Sequence, residues 1–459
     1  MGESLQAQKE RLGRFRYLDV WEEVPRTCWP YTVCKLYGAA RALGHIRGNA
    51  VIIHAPRGCF SNVMNCAFFC IQRKPPYIMV STQMDERDVI YGSEEKLRKA
   101  VQEVEMRFKP DMISVLTGCA PEITGENVAG LIEEMRSHVR CPLLYVPAAG
   151  HLGYQHEGVE EALVALVNQI MEPQEKKRRT VNLMGHLRPV ISCRLEEIRL
   201  LNKIGLEVNA VIPGDSTVEE IRRAPAAELN VLRCESSAEP ACQRMEEKFG
   251  VPYIATPPPF GVTLTSRWLR KIAQFFGGDV EERAEKVIEE EEKRAWAATE
   301  EYRRFLKGRP CEIEAGPSRF VGMIGLANDL GLKVLYSETH TAHERTEKYL
   351  REVLEACKLD YQPYTARDPY LTPQQLSEIV RIKERLRGGL TFCSDGNQSC
   401  VRDVAQQVIM GYEPPHEGYT GFINFARQCY VKRRTPLLRY IEDILPNPPN
   451  ARLPPIKGE

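Results

Sequence analysis

The sequence lacks any excess of charge: 62 lysines and arginines stand against 62 aspartates and glutamates. A chain so balanced offers no broad basic field to hold phosphates or an anionic membrane. No apolar run approaches the ~20 residues that a membrane span needs. The opening stretch MGESLQAQKERLGRFRYLDVWEEV has no apolar centre of the signal-peptide kind. The expectation is a soluble, cytoplasmic protein with no nucleic-acid or membrane partner.

Familiar small motifs are missing as well. No G-x-x-x-x-G-K-[ST] is present, which excludes a P-loop for ATP, and no G-x-G-x-x-G follows a strand, which argues against a dinucleotide site. C-x-x-C pairs and H-E-x-x-H are absent, so ordinary zinc sites are not expected. What the chain does have is cysteine, 15 in 459 residues. With nothing marking secretion, these should be reduced thiols rather than a disulfide framework. The plain reading of any one of them is a small buried hydrophobe. His340 and His343, in SETHTAHER, read as a polar loop.

Short apolar runs of strand length recur along the chain. NAVIIHA, DMISVLTG, PLLYVP, TVNLMG, EVNAVIPG, ELNVLRC, PYIAT, FVGMIGL, KVLYSE and GLTFCSDG alternate with amphipathic stretches such as EEKLRKAVQEVEMRF. Such alternation predicts an α/β protein with parallel sheets covered by helices, in several doubly wound units. The breaker-bounded stretch MEPQEKKRRT (171–180) reads as a linker between the first two units, and residues 280–310 read as one long solvated helix leading into a third. The boundaries expected are 1–173, 174–309 and 310–459.

Three cysteines share a setting. Cys34 lies at the start of a predicted helix, Cys59 follows VIIHAPRG, and Cys119 follows DMISVLTG. The last two sit at the carboxyl ends of strands, the edge where open α/β sheets bind ligands. Each follows a glycine, Gly58 or Gly118, which would let backbone N–H groups approach a sulfur. A helix predicted from ITGENVAGLIEEM would turn its positive end to the same place. Iron–sulfur clusters use four such thiolates. This chain offers three, so a partner subunit would supply the rest; the spacing alone also suits unrelated cysteines.

HAPRGC, STQMDERDVIYGSEEKL and LTGCAPEITGENVAGLIEEM together resemble the nitrogenase component 1 family. The likeness continues through VPAAGHLGYQHEG, IPGDSTVEEIRRAPAAELNVLRCESSAEPACQRMEEKFGVPYI, GPSRFVGMIGLANDLGLKVLYSETHTAHERTEKYL and HEGYTGFINFARQ, nearly the whole chain. It implies that family's architecture, three Rossmann-like domains. It also implies a relay cluster, of [4Fe-4S] or P-cluster type, held by Cys34, Cys59 and Cys119 between two homologous subunits in an α2β2 assembly. Cys234 matches the cysteine that anchors the large iron–sulfur catalytic cofactor, though a core cysteine at a strand end is the plain alternative. Cys242 reads as structural.

Other positions depart from nitrogenase itself. The histidine that binds the molybdenum end of the cofactor has no counterpart in VAQQVIMGYE, and His416 matches a different family histidine, so it takes no ligand role. The proton-supplying pair beside the cofactor corresponds to His151, Gln155 and His156 in altered register. Arg319 matches an arginine of the cofactor cavity, where a fixed cation orients anions; a surface salt bridge is the alternative. The resemblance therefore implies the large subunit of a nitrogenase-like reductase, fed by an ATP-hydrolysing iron protein. An all-iron cofactor would reduce a small substrate, with C–S cleavage of methylthio-alkanes fitting the lost histidine. The alternatives are a cofactor-assembly scaffold and, less well matched, a tetrapyrrole reductase.

Overall fold

The computed structural model describes residues 16–17, 34–70, 78–187, 196–214, 216–339, 344–359, 364–366, 389–393, 406–409 and 416–432. Its strands, in chain order, are β1 (Arg16–Tyr17), β2 (Asn49–His54), β3 (Ile78–Ser81), β4 (Met112–Thr117), β5 (Leu143–Pro147), β6 (Thr180–His186), β7 (Glu207–Pro213), β8 (Leu229–Leu232), β9 (Tyr253–Ala255), β10 (Pro310–Glu314), β11 (Lys333–Glu338), β12 (Tyr364–Ala366), β13 (Leu390–Cys393) and β14 (Gln406–Ile409). They form three sheets, ordered β3-β2-β4-β5, β7-β6-β8-β9 and β1-β12-β11-β10-β13-β14. Every pairing is parallel.

The same path is walked three times. In each sheet the chain lays down a central strand, builds outward on one side, then returns to the other side of that strand. The reversal leaves a crevice at the carboxyl ends of β2 and β4, of β6 and β8, and of β10 and β13, the switch points where such sheets hold ligands. Continuous apolar sequence suits strands covered on both faces, and all residues of β2, β4 and β6 are buried.

The helices of the first unit are α1 (Lys35–Gly44), α2 (Arg57–Cys70), α3 (Glu86–Tyr91), α4 (Glu94–Phe108), α5 (Cys119–Thr124), α6 (Val128–Met135) and α7 (Gln155–Gln169). Then come α8 (Glu196–Lys203), α9 (Val218–Arg222), α10 (Glu239–Phe249), α11 (Gly261–Phe276) and α12 (Gly278–Leu306), followed by α13 (Pro317–Asp329), α14 (Glu344–Ala356) and α15 (Gly418–Lys432). One apolar core, containing Trp268, Phe320, Phe392 and Phe425, runs unbroken between the second and third sheets.

Some expectations change. FVGMIGL is not a strand but the middle of α13, which starts on Pro317 after Gly316. A short run that is apolar on every side reads alike for a buried strand and a buried helix, and proline at the first helical position settles it. The long helix is present as α12, but it is not wet throughout. Val280, Ala284, Val287, Ile288, Glu291, Ala295 and Thr299 form a buried stripe at helical spacing. Glu291 is tolerated there because Arg199, Lys203 and Arg294 approach to 2.6, 2.7 and 2.6 Å; although burial opposes its charge, they hold the carboxyl near 2. The 171–180 linker is pinned: Lys176 donates to the carbonyls of Pro225, Ala227 and Phe249. Finally β1, in sequence part of the first unit, extends the edge of the third sheet beside β12.

Candidate functional site

At the first switch point three helices begin on or beside cysteines. Cys34 is the residue before α1, Cys59 lies in the first turn of α2, and Cys119 opens α5 directly, ahead of the helix start expected from sequence. The positive ends of their dipoles favour negative charge at the same place. Cys34 is set by its neighbours: it bridges Tyr154, and Lys35 N donates to Gly153 O at 2.9 Å. A Cβ at Gly38 would run into the carbonyl of Gln155, so α1 and α7 cross at backbone contact.

All three thiols are half-exposed, whereas Cys242, Cys311, Cys357 and Cys429 are buried. Burial, together with the sulfurs of Cys119 and Cys34, pushes the Cys59 thiol up. Three thiolates this close repel one another unless a cation joins them. Gly150 keeps the gap between two of them: a Cβ there would lie 3.0 Å from Cys34 Sγ and 3.5 Å from Cys119 Sγ. The other glycines act differently from expectation. Gly118 is needed because a Cβ would come within 2.7 Å of Ala55 Cβ, while a Cβ on Gly58 would meet nothing within 4 Å.

Among the described residues no three His, Cys, Asp or Glu side chains converge on a point that a single ion could occupy. A cluster asks for something else, since each iron takes its own thiolate and the sulfurs must stand apart. Three soft donors around a glycine-lined gap fit that demand.

The second centre lies at the β6/β8 switch point, facing the start of α13. Ser237 Oγ donates to Cys234 Sγ at 3.0 Å, Ser236 Oγ lies 3.4 Å away, and Ser318 Oγ donates at 3.7 Å from the first turn of α13. Gly185, at φ +90°, allows the end of β6 to pack on Cys234; a Cβ there would sit 3.0 Å from Cys234 Cβ. Thus Cys234 and Arg319, 85 positions apart in sequence, are brought to one crevice through Ser318.

Beside the thiol is a buried ionic group that sequence reading missed. Arg233 Nη2 pairs with Glu417 Oε1, Arg233 Nε lies 3.8 Å from Glu197 Oε1, and His186 Nε2 lies 3.6 Å from the same oxygen. Burial drives Glu197 up and His186 well down, each toward its neutral form. Burial also opposes the charge of Glu417, but Arg233, His416, Arg319 and His186 outweigh it and hold that carboxyl down. The only sequence signal for His186 and Arg233 was position, at the ends of the two central strands.

His151, exposed in a 3₁₀ turn (Gly150–Leu152), and Gln155 and His156, at the head of α7, belong to the segment that positions Cys34. The rings of Tyr154 and His156 stack at 6.3 Å. The contacts that fix Cys234 come instead from β6, the 236–237 turn and α13. Cys242 is fully buried in α10, and burial raises its thiol strongly, as suits a structural residue. His340 and His343 lie outside the described residues, and of VAQQVIMGYE only the strand residues of β14 are described.

The family model for nitrogenase component 1 type oxidoreductases matches residues 34–432. The chain belongs to this family. Membership accounts for the three repeated units and implies iron–sulfur clusters. Among curated relatives, the nitrogenase iron-molybdenum cofactor biosynthesis protein NifE of Nostoc sp. is 28% identical over 421 residues, covering 90% of this chain and 85% of the relative. The nitrogenase molybdenum-iron protein alpha chain of Methanosarcina barkeri is 30% identical over 317 residues, covering 65% and 59%. A solved structure, nitrogenase Cp1 at pH 6.5, superimposes with a TM-score of 0.75 at 21% identity over 94% of this chain and 92% of that one, a likeness of fold. Among the described residues no helix is long and apolar enough to cross a membrane.

Proposed function

We propose that this nitrogenase component 1 type subunit is an assembly scaffold, holding an iron–sulfur cofactor on Cys234 as cargo before it passes to an acceptor protein. The observation that carries this reading is the one-thiol anchor: Cys234 presents a half-buried sulfur among three serine hydroxyls at a switch point. A single soft ligand with hydrogen-bond donors around it holds an anionic cluster at one end. The NifE relatives, matched over most of their length, support it.

Cys34, Cys59 and Cys119 would hold a resident relay cluster, with a homologous β-type subunit completing its ligation in an α2β2 assembly. That cluster, when bound, supplies one-electron transfer from an ATP-hydrolysing iron protein. Exposed apolar side chains on the same elements, Met64 on α2, Ile123 on α5 and Leu152 beside Gly150, suit a protein partner. Arg319 orients the anionic guest from the first turn of α13, and His151 in the 3₁₀ turn, with Gln155 and His156 at the head of α7, offer polar and titratable groups.

The second reading is the large subunit of a reductase that keeps its all-iron cofactor and acts on a small substrate. The Methanosarcina barkeri alpha chain favours it. Among the described residues no feature of the crevice selects a methylthio-alkane, so C–S cleavage stays within this second reading. The two part in one assay with the anaerobic complex, the iron protein, ATP and an apo-acceptor. A scaffold gives up iron to the acceptor with negligible substrate turnover; retained iron with ATP-dependent reduction of dimethyl sulfide or ethyl methyl sulfide would overturn the scaffold reading.

A further inference from the structure

We propose that Glu417 sets how tightly the Cys234 centre holds its anionic guest, by competing with that guest for Arg233. The inference rests on the scaffold reading and deepens it. Arg233 immediately precedes Cys234, its side chain only 11% exposed, and its guanidinium is engaged by Glu417 through Nη2. Glu197 stands at the other edge of the same guanidinium, 3.8 Å from Nε, backed by His186. Arg319, in the turn that supplies Ser318, and His416 act on Glu417 as well. Arg233, the residue next to the anchoring thiol, therefore already faces a carboxylate of the chain itself.

That carboxylate cannot swing away easily. Glu417 Oε2 accepts from His416 N at 3.2 Å, Glu417 bridges Phe260, and Gly418 N donates to Pro259 O at 2.6 Å. Low dielectric makes such a pair strong, and a buried cation stripped of its partner is costly. An anionic cluster on Cys234 must share Arg233 with Glu417, which weakens its hold and eases its departure. Release breaks the iron–Sγ bond heterolytically, the electron pair staying on the Cys234 thiolate, so neither oxidant nor reductant is required. Glu417 is thus a positioning residue, acting through Arg233.

The test follows iron loss to bathophenanthroline disulfonate from the anaerobic complex, counting iron above the background of a Cys234→Ala complex. Glu417→Gln keeps size and shape but removes the charge, and its guest iron should leave about tenfold more slowly, a modest share of the change seen when buried charge pairs are altered. Glu417→Asp, which keeps the charge, should behave as wild type. Slower loss cannot come from a loosened fold, because unfolding exposes iron to the chelator. Equal or faster loss from Glu417→Gln overturns the proposal. Should that variant not fold, Arg233→Gln serves: faster loss of guest iron from a complex of wild-type size supports the proposal, and an unchanged rate overturns it. If Cys234→Ala holds as much iron as wild type, the scaffold reading itself fails; if it loses that iron while Glu417→Gln matches wild type, only the competition fails.

Discussion

Cys234→Ala is expected to strip most of the iron held at the second centre while leaving the spectroscopic signal of the relay cluster intact. The two proposed centres lie at different switch points, on β6/β8 and β2/β4, and the cysteines proposed for them, Cys234 against Cys34, Cys59 and Cys119, are different residues. Alanine retains the Cβ that lies against Gly185, so the crevice keeps its shape. The change in fold stability should stay within about 1 kcal/mol, since neither cavity nor buried charge is created. What disappears is the soft donor, and three serine hydroxyls cannot replace it because iron–sulfur chemistry selects thiolate over harder oxygen. Iron and acid-labile sulfide analysis, paired with electron paramagnetic resonance of the reduced complex, reads both centres at once. Unchanged iron would mean that Cys234 is a plain strand-end cysteine.

Cys59→Ser should act on the other centre. Its backbone N–H donates to Pro56 O at 3.0 Å in the first turn of α2, a place serine occupies without strain. The substitution therefore removes a ligand and leaves the helix start alone. Loss of one thiolate from a shared cluster should weaken cluster binding by at least the 10–100-fold, roughly, that follows loss of an outer-shell partner. Association with the proposed homologous subunit should weaken with it, because the cluster would bridge the two. The expected readouts are a diminished relay signal and a smaller complex on anaerobic gel filtration, with iron on Cys234 still present. A variant that assembles and transfers electrons as wild type does would make Cys59 structural.

The sequence was most readable where local physics decides. Strands such as NAVIIH and MISVLT are apolar throughout because both faces are covered, so their type and their carboxyl ends could be read directly. Cys59 and Cys119 followed from those ends. FVGMIGL misled because a helix buried on every side has no polar stripe to reveal its period. Gly150 lay beyond local reasoning: its requirement comes from the sulfurs of Cys34 and Cys119, 116 and 31 positions earlier. The Arg233, Glu417, Glu197 and His186 group was hidden for the same reason. Its members are ordinary charged residues until the reversal of strand order at β6 and β8 and the return of α15 bring them beside one thiol.

Anaerobic metal analysis of the purified complex decides whether this chain carries two separate iron–sulfur centres. Iron, molybdenum, vanadium and acid-labile sulfide would be counted per subunit pair. The expected result is iron well beyond one four-iron cluster and beyond what the Cys234→Ala complex keeps, with matching sulfide and no heterometal. About four irons alone, the content of a single cluster, would contradict a cofactor on Cys234 and turn attention to an organic macrocycle in that crevice.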